Sequence, residues 1–350
     1  MGKENIVKTK QNKETSSMQA ENGFSKKMKS ISSGIWSMQE SGIIIVTILY
    51  MVFVWLVNPV FFSILNLNSI FRQSGFVLIS SIGMTIVFIA GGLDLSVGSV
   101  QALGGVVAGI FMVTFGLPIW VGIILGILAG TLVGLTNGYI IVKFKIPSII
   151  MTLGTMYVAR GIVFIITKGL TIYPMPVRFQ ALEQRPILGF LPTVVPFCFV
   201  LCVIFHIILT RTTFGRSIYA IGGNRDTAKL SGINIDKVTL LVYSICGALA
   251  ALTGIVISAR LSSAQPSAGD GYEMIVIVAC IIGGTSMFGG RGTILGTAIG
   301  AIFMSVLSNS MTILKVNIYY QKFFIGVVLI LAVILDQYKI GLAQKRALKR

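Results

Sequence analysis

The sequence predicts an all-α integral membrane protein with about ten transmembrane helices. Three observations carry this reading. Of the 350 residues, 55% are hydrophobic and only 11% are charged, at a mean hydropathy of +0.90, whereas a soluble domain carries about twice that charged share. The apolar residues gather into segments of bilayer length. The basic residues fall unevenly between the two sides those segments define.

The first 41 residues are polar and hold seven lysines with Glu4, Glu14 and Glu21. Such a segment buries too little apolar surface to offset ordering entropy, so it is expected to be a disordered cytoplasmic tail. The first apolar run lacks a small-residue cleavage site, so no leader is expected to be removed. The spans are drawn at roughly 42–62, 73–91, 94–114, 119–142, 147–168, 190–209, 238–259, 272–288, 293–313 and 321–337. Residues 42–337 thus form one transmembrane domain with a large polar loop at 210–237, and 338–350 form a basic tail.

With the N-terminus inside, the inner segments hold the lysine tail, Lys143, Lys145, the basic residues of 210–237, Arg291 and those after Asp336. The outer segments hold only Arg72, Lys168, Arg178, Arg185, Arg260, Lys315 and Lys322. This bias places both termini in the cytoplasm and accounts for most of the net charge of +17. A nucleic-acid surface would need its charge clustered on a soluble face, so none is expected.

The second and third spans are joined by GGLDLSVGS, which holds Asp94, the only acid between Glu40 and Glu183. An ionised carboxylate at membrane depth needs water or a partner. Asp94 either caps a helix starting at Leu95 or, with Ser96, shapes a polar pathway through a broken helix. Gly122, Gly126, Gly130 and Gly134 recur at helical spacing, as do Gly292, Gly296 and Gly300, and Gly105 and Gly109. Each run gives a bare stripe for close helix packing. The string GGRGTILG lies in no soluble βαβ unit and is not a dinucleotide fingerprint.

Leu135–Gly154 aligns without gaps to Leu307–Gly326. The two stretches end the fourth and ninth spans. An odd number of crossings separates them, so the match reads either as an inverted five-plus-five repeat or as shared apolar composition. Asn137 and Asn309 occupy equivalent places in it, either bonding a neighbouring helix or meeting solute hydroxyls. Arg160 and Glu273, near span ends, either snorkel or pair. Cys198, Cys202 and His206 share one helix face, but three residues on a straight helix converge poorly on one ion, so no metal is expected. The four cysteines show no paired spacing.

No GxxxxGK[ST] occurs, so the chain has no P-loop, and its single histidine argues against acid–base catalysis of its own. Energy must come from elsewhere. The loop TRTTFGRSIYAIGGNRDTAKLSGINIDK carries Arg211, Arg216, Arg225, Lys229 and Lys237 against Asp226 and Asp236. Asn224 or Asp226 is expected to cap a short helix ending near Gly232, with Ala228, Leu230 and Ile233 as an apolar patch. Such a helix either lies on lipid or docks in a partner's groove.

GGLDLSVGSVQALGG, LTNGYIIVKFKIPSIIMTLGTMYVARG, FGRSIYAIGGNRDTAKLSGINIDKV and IIGGTSMFGGRGTILGTAIGAI together resemble the permease subunit of ribose/xylose-type bacterial ABC sugar importers, over about residues 42–337. The resemblance implies a cytoplasmic-membrane subunit that pairs with a second permease copy or a sister permease. It further implies a cytoplasmic ATPase partner carrying ATP and Mg, an extracytoplasmic sugar-binding protein, and no cofactor on this chain. The family's ATPase-coupling signature falls on Gly215, Arg216, Gly222, Gly223, Asn224, Ala228, Ser231 and Gly232. Its acidic motif falls on Gly91, Gly92, Asp94, Leu95, Ser96, Gly98 and Ser99. A ribose-type pentose leads among substrates, with other sugars and sugar-like signalling molecules as alternatives. An ion-gradient-driven transporter would need more titratable groups than Asp94 along its path. A membrane enzyme would usually show acidic or histidine clusters.

Overall fold

The computed structural model describes residues 41–187, 189 and 191–347, so the lysine-rich segment of 1–41 lies outside it save for Ser41. The described chain is built of helices: α1 (Ser41–Val57), α2 (Ile64–Ile89), α3 (Val97–Gly109, continued by a π turn at Ile110–Thr114), α4 (Ile119–Phe144), α5 (Ser148–Thr167), α6 (Val177–Gln184), α7 (Val194–Arg211), α8 (Thr213–Gly223), α9 (Arg225–Leu230), α10 (Ile235–Leu261), α11 (Tyr272–Ile282), α12 (Ile294–Ile313) and α13 (Ile318–Ala347). Eight are long and apolar enough to cross a membrane, and α1 and α11 are shorter apolar helices. Every expected span therefore contains a helix, but not every one has full length.

Two boundaries moved for identifiable reasons. α2 begins at Ile64, well before the expected start, because Ser63 caps it by accepting from the Asn66 N–H. Polar residues in its first turns find partners without ending the helix: Asn66 Nδ2 donates to the Phe61 carbonyl at 2.7 Å. α13 runs on through Ala347, so residues 338–347 continue the last helix, and 348–350 lie outside the described residues.

The packing pairs exchange the two halves of the chain. α10 packs on α3 and α4 as α2 packs on α11 and α12, while α3 meets α4 and α5 as α11 meets α12 and α13. α2 and α10 lie together at the centre of this exchange. The glycine stripes make these contacts close. A Cβ on Gly130 would overlap the Gly247 carbonyl and Ala251, and one on Gly134 would overlap the Tyr243 carbonyl, all on α10. Gly122 faces Met112, and a Cβ on Gly126 would overlap the Gly104 carbonyl, both on the α3 segment. In the second half, Gly296 meets the Gly283 carbonyl and Gly300 that of Ala279. Gly292 was expected to extend this stripe, but it precedes Thr293, the N-cap of α12, and belongs to the loop before it. By contrast, Gly154 and Gly161 on α5 and Gly326 on α13 face open space in this chain.

α6 lies outside the spans and is held by charge. Its Glu183 is 2% exposed, with Oε1 3.3 Å from Arg72 Nε of α2. The two atoms are close but not aligned for a hydrogen bond. Burial raises the Glu183 carboxyl above its ordinary value of 4.5, while Arg72 and Arg260 oppose the rise.

Gly130→Val should push α4 from α10 and cost about 1–3 kcal/mol or more, read as a fall in melting temperature of the purified chain, while Gly154→Ala leaves that temperature unchanged. Because the folded-state pKa of Glu183 is raised, its contribution is fully present below 4.5 and is lost as pH rises through the raised value. Glu183→Gln should therefore flatten the decline in stability with rising pH, although it lowers stability overall by leaving Arg72 unpaired.

Candidate functional site

Two helix breaks meet inside the bundle. One is residues 90–96, between α2 and α3; the other is residues 262–271, between α10 and α11. They approach where Gly98, in the first turn of α3, faces Gly269: a Cβ on either would overlap the other's carbonyl. Non-helical backbone at membrane depth must have its polar groups satisfied by the protein, and α5 supplies much of this at both breaks. Ser148 Oγ accepts from the Leu93 N–H at 3.2 Å, and Thr152 Oγ1 accepts from the Leu95 N–H at 3.1 Å. Three turns further on, Arg160 donates to the carbonyls of Pro266 and Ala268 at 2.8 and 2.6 Å. The arginine expected either to snorkel or to pair thus ties down a loop.

Three of the four proposed pathway residues belong to one chain of hydrogen bonds here. Thr155 Oγ1 donates to Asn137 Oδ1 at 2.6 Å, Asn137 Nδ2 donates to Ser96 Oγ at 3.1 Å, and Ser96 Oγ donates to Asp94 Oδ1 at 2.5 Å. The amide orientation follows from this network. Every donor points toward the carboxylate, so successive bonds polarise one another. Asp94, Ser96 and Asn137 are 1%, 1% and 0% exposed. Asp94 does not cap a helix starting at Leu95. Its carboxylate accepts from the Ser96 N–H at 2.9 Å and shapes the turn before α3, which starts at Val97. No ion pair reaches Asp94 among the described residues.

Asn309 is elsewhere. Its Nδ2 donates to Asn66 Oδ1 at 2.8 Å, joining α12 to the start of α2, and its Oδ1 is buried without a partner. Equivalent repeat positions therefore carry different partners. Thr152, Thr155 and Ser148 were not singled out from sequence, because a hydroxyl in an apolar helix has no distinguishing spacing. Cys198 Sγ, from the suspected metal stripe, donates to the Gly75 carbonyl at 3.3 Å.

On the polar loop, two helices form where one was expected. α8 is capped by Thr212, whose side chain accepts from the Gly215 N–H at 3.1 Å. Gly215 is required there because a Cβ would overlap the Ile208 and Leu209 carbonyls. α9 is capped by Asn224, which accepts from the Thr227 N–H at 2.9 Å, so Asn224 and not Asp226 is the cap. Ser231 Oγ donates to the Thr227 carbonyl, and Gly232 turns the chain at φ 79°. The expected apolar patch does not form. Ala228 is 3% exposed and Ile233 packs on the core, leaving Leu230 alone at 89%. Arg211, Arg216, Arg225, Lys229 and Lys237 are exposed around it, and none is in an ion pair among the described residues.

α8 is fastened to the bundle by backbone. Ile218 and Ile221 are buried in the core, and Tyr219 Oη donates to the Gly292 carbonyl at 2.6 Å. Gly222 lies against the last carbonyl of α2, that of Ile89, and a Cβ there would overlap it. The Gly290 N–H donates to that same Ile89 carbonyl at 2.9 Å. The end of α8 therefore bears on the end of α2, immediately before the 90–96 break. Gly223 is exposed.

Asn137→Ala should remove two buried side-chain hydrogen bonds, leaving Thr155 with the Met151 carbonyl and Ser96 with Asp94, and cost about 1–3 kcal/mol, measured by thermal unfolding. Thr155→Val should cost less, because it removes only the end of the chain of donors.

Residues 66–333 match a family described as the permease component of branched-chain amino acid transport systems. The chain is 40% identical over 298 residues to the ribose import permease RbsC of Haemophilus influenzae, covering 84% of this chain and 92% of that protein. It is 39% identical to RbsC of Bacillus subtilis over 86% of this chain and 94% of that protein. It is 33% identical to the xylose transport permease XylH of Escherichia coli, covering 81% and 88%. No solved structure matches. A basic helix pair seated on the end of a multi-span bundle, in a chain matched over most of its length, makes this protein a member of that family of transport-system permease components.

Proposed function

We propose that this chain is the membrane subunit of an ATP-driven importer of a ribose-type monosaccharide, with α8 and α9 receiving the work of a separate ATPase subunit. The sugar reading draws on the relatives matched across nearly their whole length, whose names specify ribose and xylose. The observation that carries the coupling is the seat of Gly222 on the Ile89 carbonyl. A push on α8 passes with little slack into the end of α2 and so to the 90–96 break.

The roles follow from that contact. Thr212 and Asn224 cap the two short helices and keep them stiff enough to transmit force. Arg216, Arg225 and Lys229 face outward with the exposed Leu230, a charged rim around one apolar anchor, which suits docking to an acidic groove. The Asp94–Ser96–Asn137–Thr155 chain serves as a joint that holds the break in one arrangement, since Asp94, Ser96 and Asn137 are buried rather than open to solute. Solute passage is assigned to the faces of α5 and α13 that this chain leaves bare, against a second permease copy or a sister permease. A sugar-binding protein delivers solute at the end of the bundle opposite α8.

The test uses the permease co-purified with a cognate ABC-importer ATPase subunit and reconstituted in vesicles. Arg216→Glu with Arg225→Glu should lower ATPase retention and ATP-driven sugar uptake by about tenfold or more, while the permease stays folded. Gly222→Ala should retain the ATPase yet lose uptake. Sugar uptake that continues without any ATPase would overturn the reading.

A further inference from the structure

At the end of the bundle opposite α8, a cavity of about 310 Å³ opens between α2, α10 and the first residue of α11. Three of its lining side chains have unused hydrogen-bonding capacity. The Arg260 guanidinium stacks over the Phe76 ring at 5.4 Å, and no hydrogen bond engages its N–H groups among the described residues. The Tyr272 hydroxyl is fully buried without a partner. The Gln73 amide also lines the cavity, with no hydrogen bond among the described residues. The remaining wall is apolar, formed by Val77 and Ile257 with Leu261, 48% exposed, among the lining residues.

Charge selects the occupant. Glu183 is already committed to Arg72 at 3.3 Å, so Arg72 and Arg260 against Glu183 leave one positive charge uncompensated. The half-buried Arg260 guanidinium, with none of its N–H groups bonded among the described residues, matches the paired oxygens of a phosphate. A neutral solute would use the hydrogen bonds but leave the charge unmet. We propose that this cavity is a phosphate site, occupied by the headgroup phosphate of a membrane phospholipid. Arg260 takes the phosphate oxygens, Tyr272 and Gln73 donate to it, and Val77, Ile257 and Leu261 carry the adjoining glycerol and chain. This assignment does not depend on which solute the chain moves.

The full chain, purified and stripped of lipid, would be titrated with phosphatidylglycerol, with diacylglycerol of the same chains, with inorganic phosphate and with ribose, reading the melting temperature. Phosphatidylglycerol should raise it and diacylglycerol should not. Arg260→Gln should raise the half-saturating lipid concentration about tenfold, as expected for loss of one charge-assisted hydrogen bond. Arg260→Lys should recover part of that loss, and Tyr272→Phe, which keeps the ring, should give a smaller weakening and carries the test if Arg260→Gln does not fold. A rise with inorganic phosphate equal to that with the lipid, and abolished in the variants, would keep the phosphate site and assign it to free phosphate. An equal rise with diacylglycerol, a rise with ribose alone, or a lipid response unchanged in all three variants would overturn the proposal.

Discussion

A bilayer offers no water to exposed backbone, and this chain breaks two of its helices within its apolar bundle. The rest of the structure is arranged around that constraint. The breaks at 90–96 and 262–271 are placed against each other at Gly98 and Gly269, where only hydrogen-sized side chains fit. Ser148, Thr152 and Arg160 then satisfy N–H and carbonyl groups at both from a single helix. α5 is thus a splint, apolar over most of its surface, with Ser148, Thr152 and Arg160 set where it meets the breaks. The cost of each orphaned group in an apolar medium is a few kcal/mol, so these bonds are conditions for the fold rather than additions to it.

The same arrangement links the polar loop to the interior. α8 touches the bundle through Gly222 and the Ile89 carbonyl, with Gly290 donating to the same oxygen. Immediately beyond Ile89 comes the break that α5 and the Asp94 chain hold. A displacement of α8 therefore meets first a place in the bundle where helical hydrogen bonding has already been given up. Rearranging a break exchanges a handful of side-chain bonds, whereas bending an intact helix would disrupt its own ladder. The packing exchange between α2 and α10 gives the second break a matching position.

Some of this was legible in sequence and some was not, for physical reasons. The glycine stripes were readable because close helix approach requires bare positions at helical spacing, and Gly126, Gly130 and Gly134 do pack on backbone or small side chains. Gly292 fell outside the pattern because Thr293 caps α12, a local signal weaker than the spacing that overlay it. The Ala228–Leu230–Ile233 patch was misjudged because α9 is only six residues long: it turns Ala228 inward, and Ile233, beyond its end, packs on the core. α8 was missed because glycines at Gly215, Gly222 and Gly223 lower helix propensity, while tertiary contact at Gly215 and Gly222 is what demands them.

By itself the sequence determined the solvent, the number of apolar segments, the basic loop and the residues too small or too polar to be there for lipid contact. These are properties of composition and spacing, and they act over a few turns of helix. Only the tertiary structure decided the partners. Asn137 and Asn309 stand at equivalent places in an internal repeat, yet one joins Ser96 to Thr155 and the other bonds Asn66. A buried polar group must be satisfied, which a sequence announces; which distant atom satisfies it depends on how whole helices pack, and that is settled by the sum of all contacts along them.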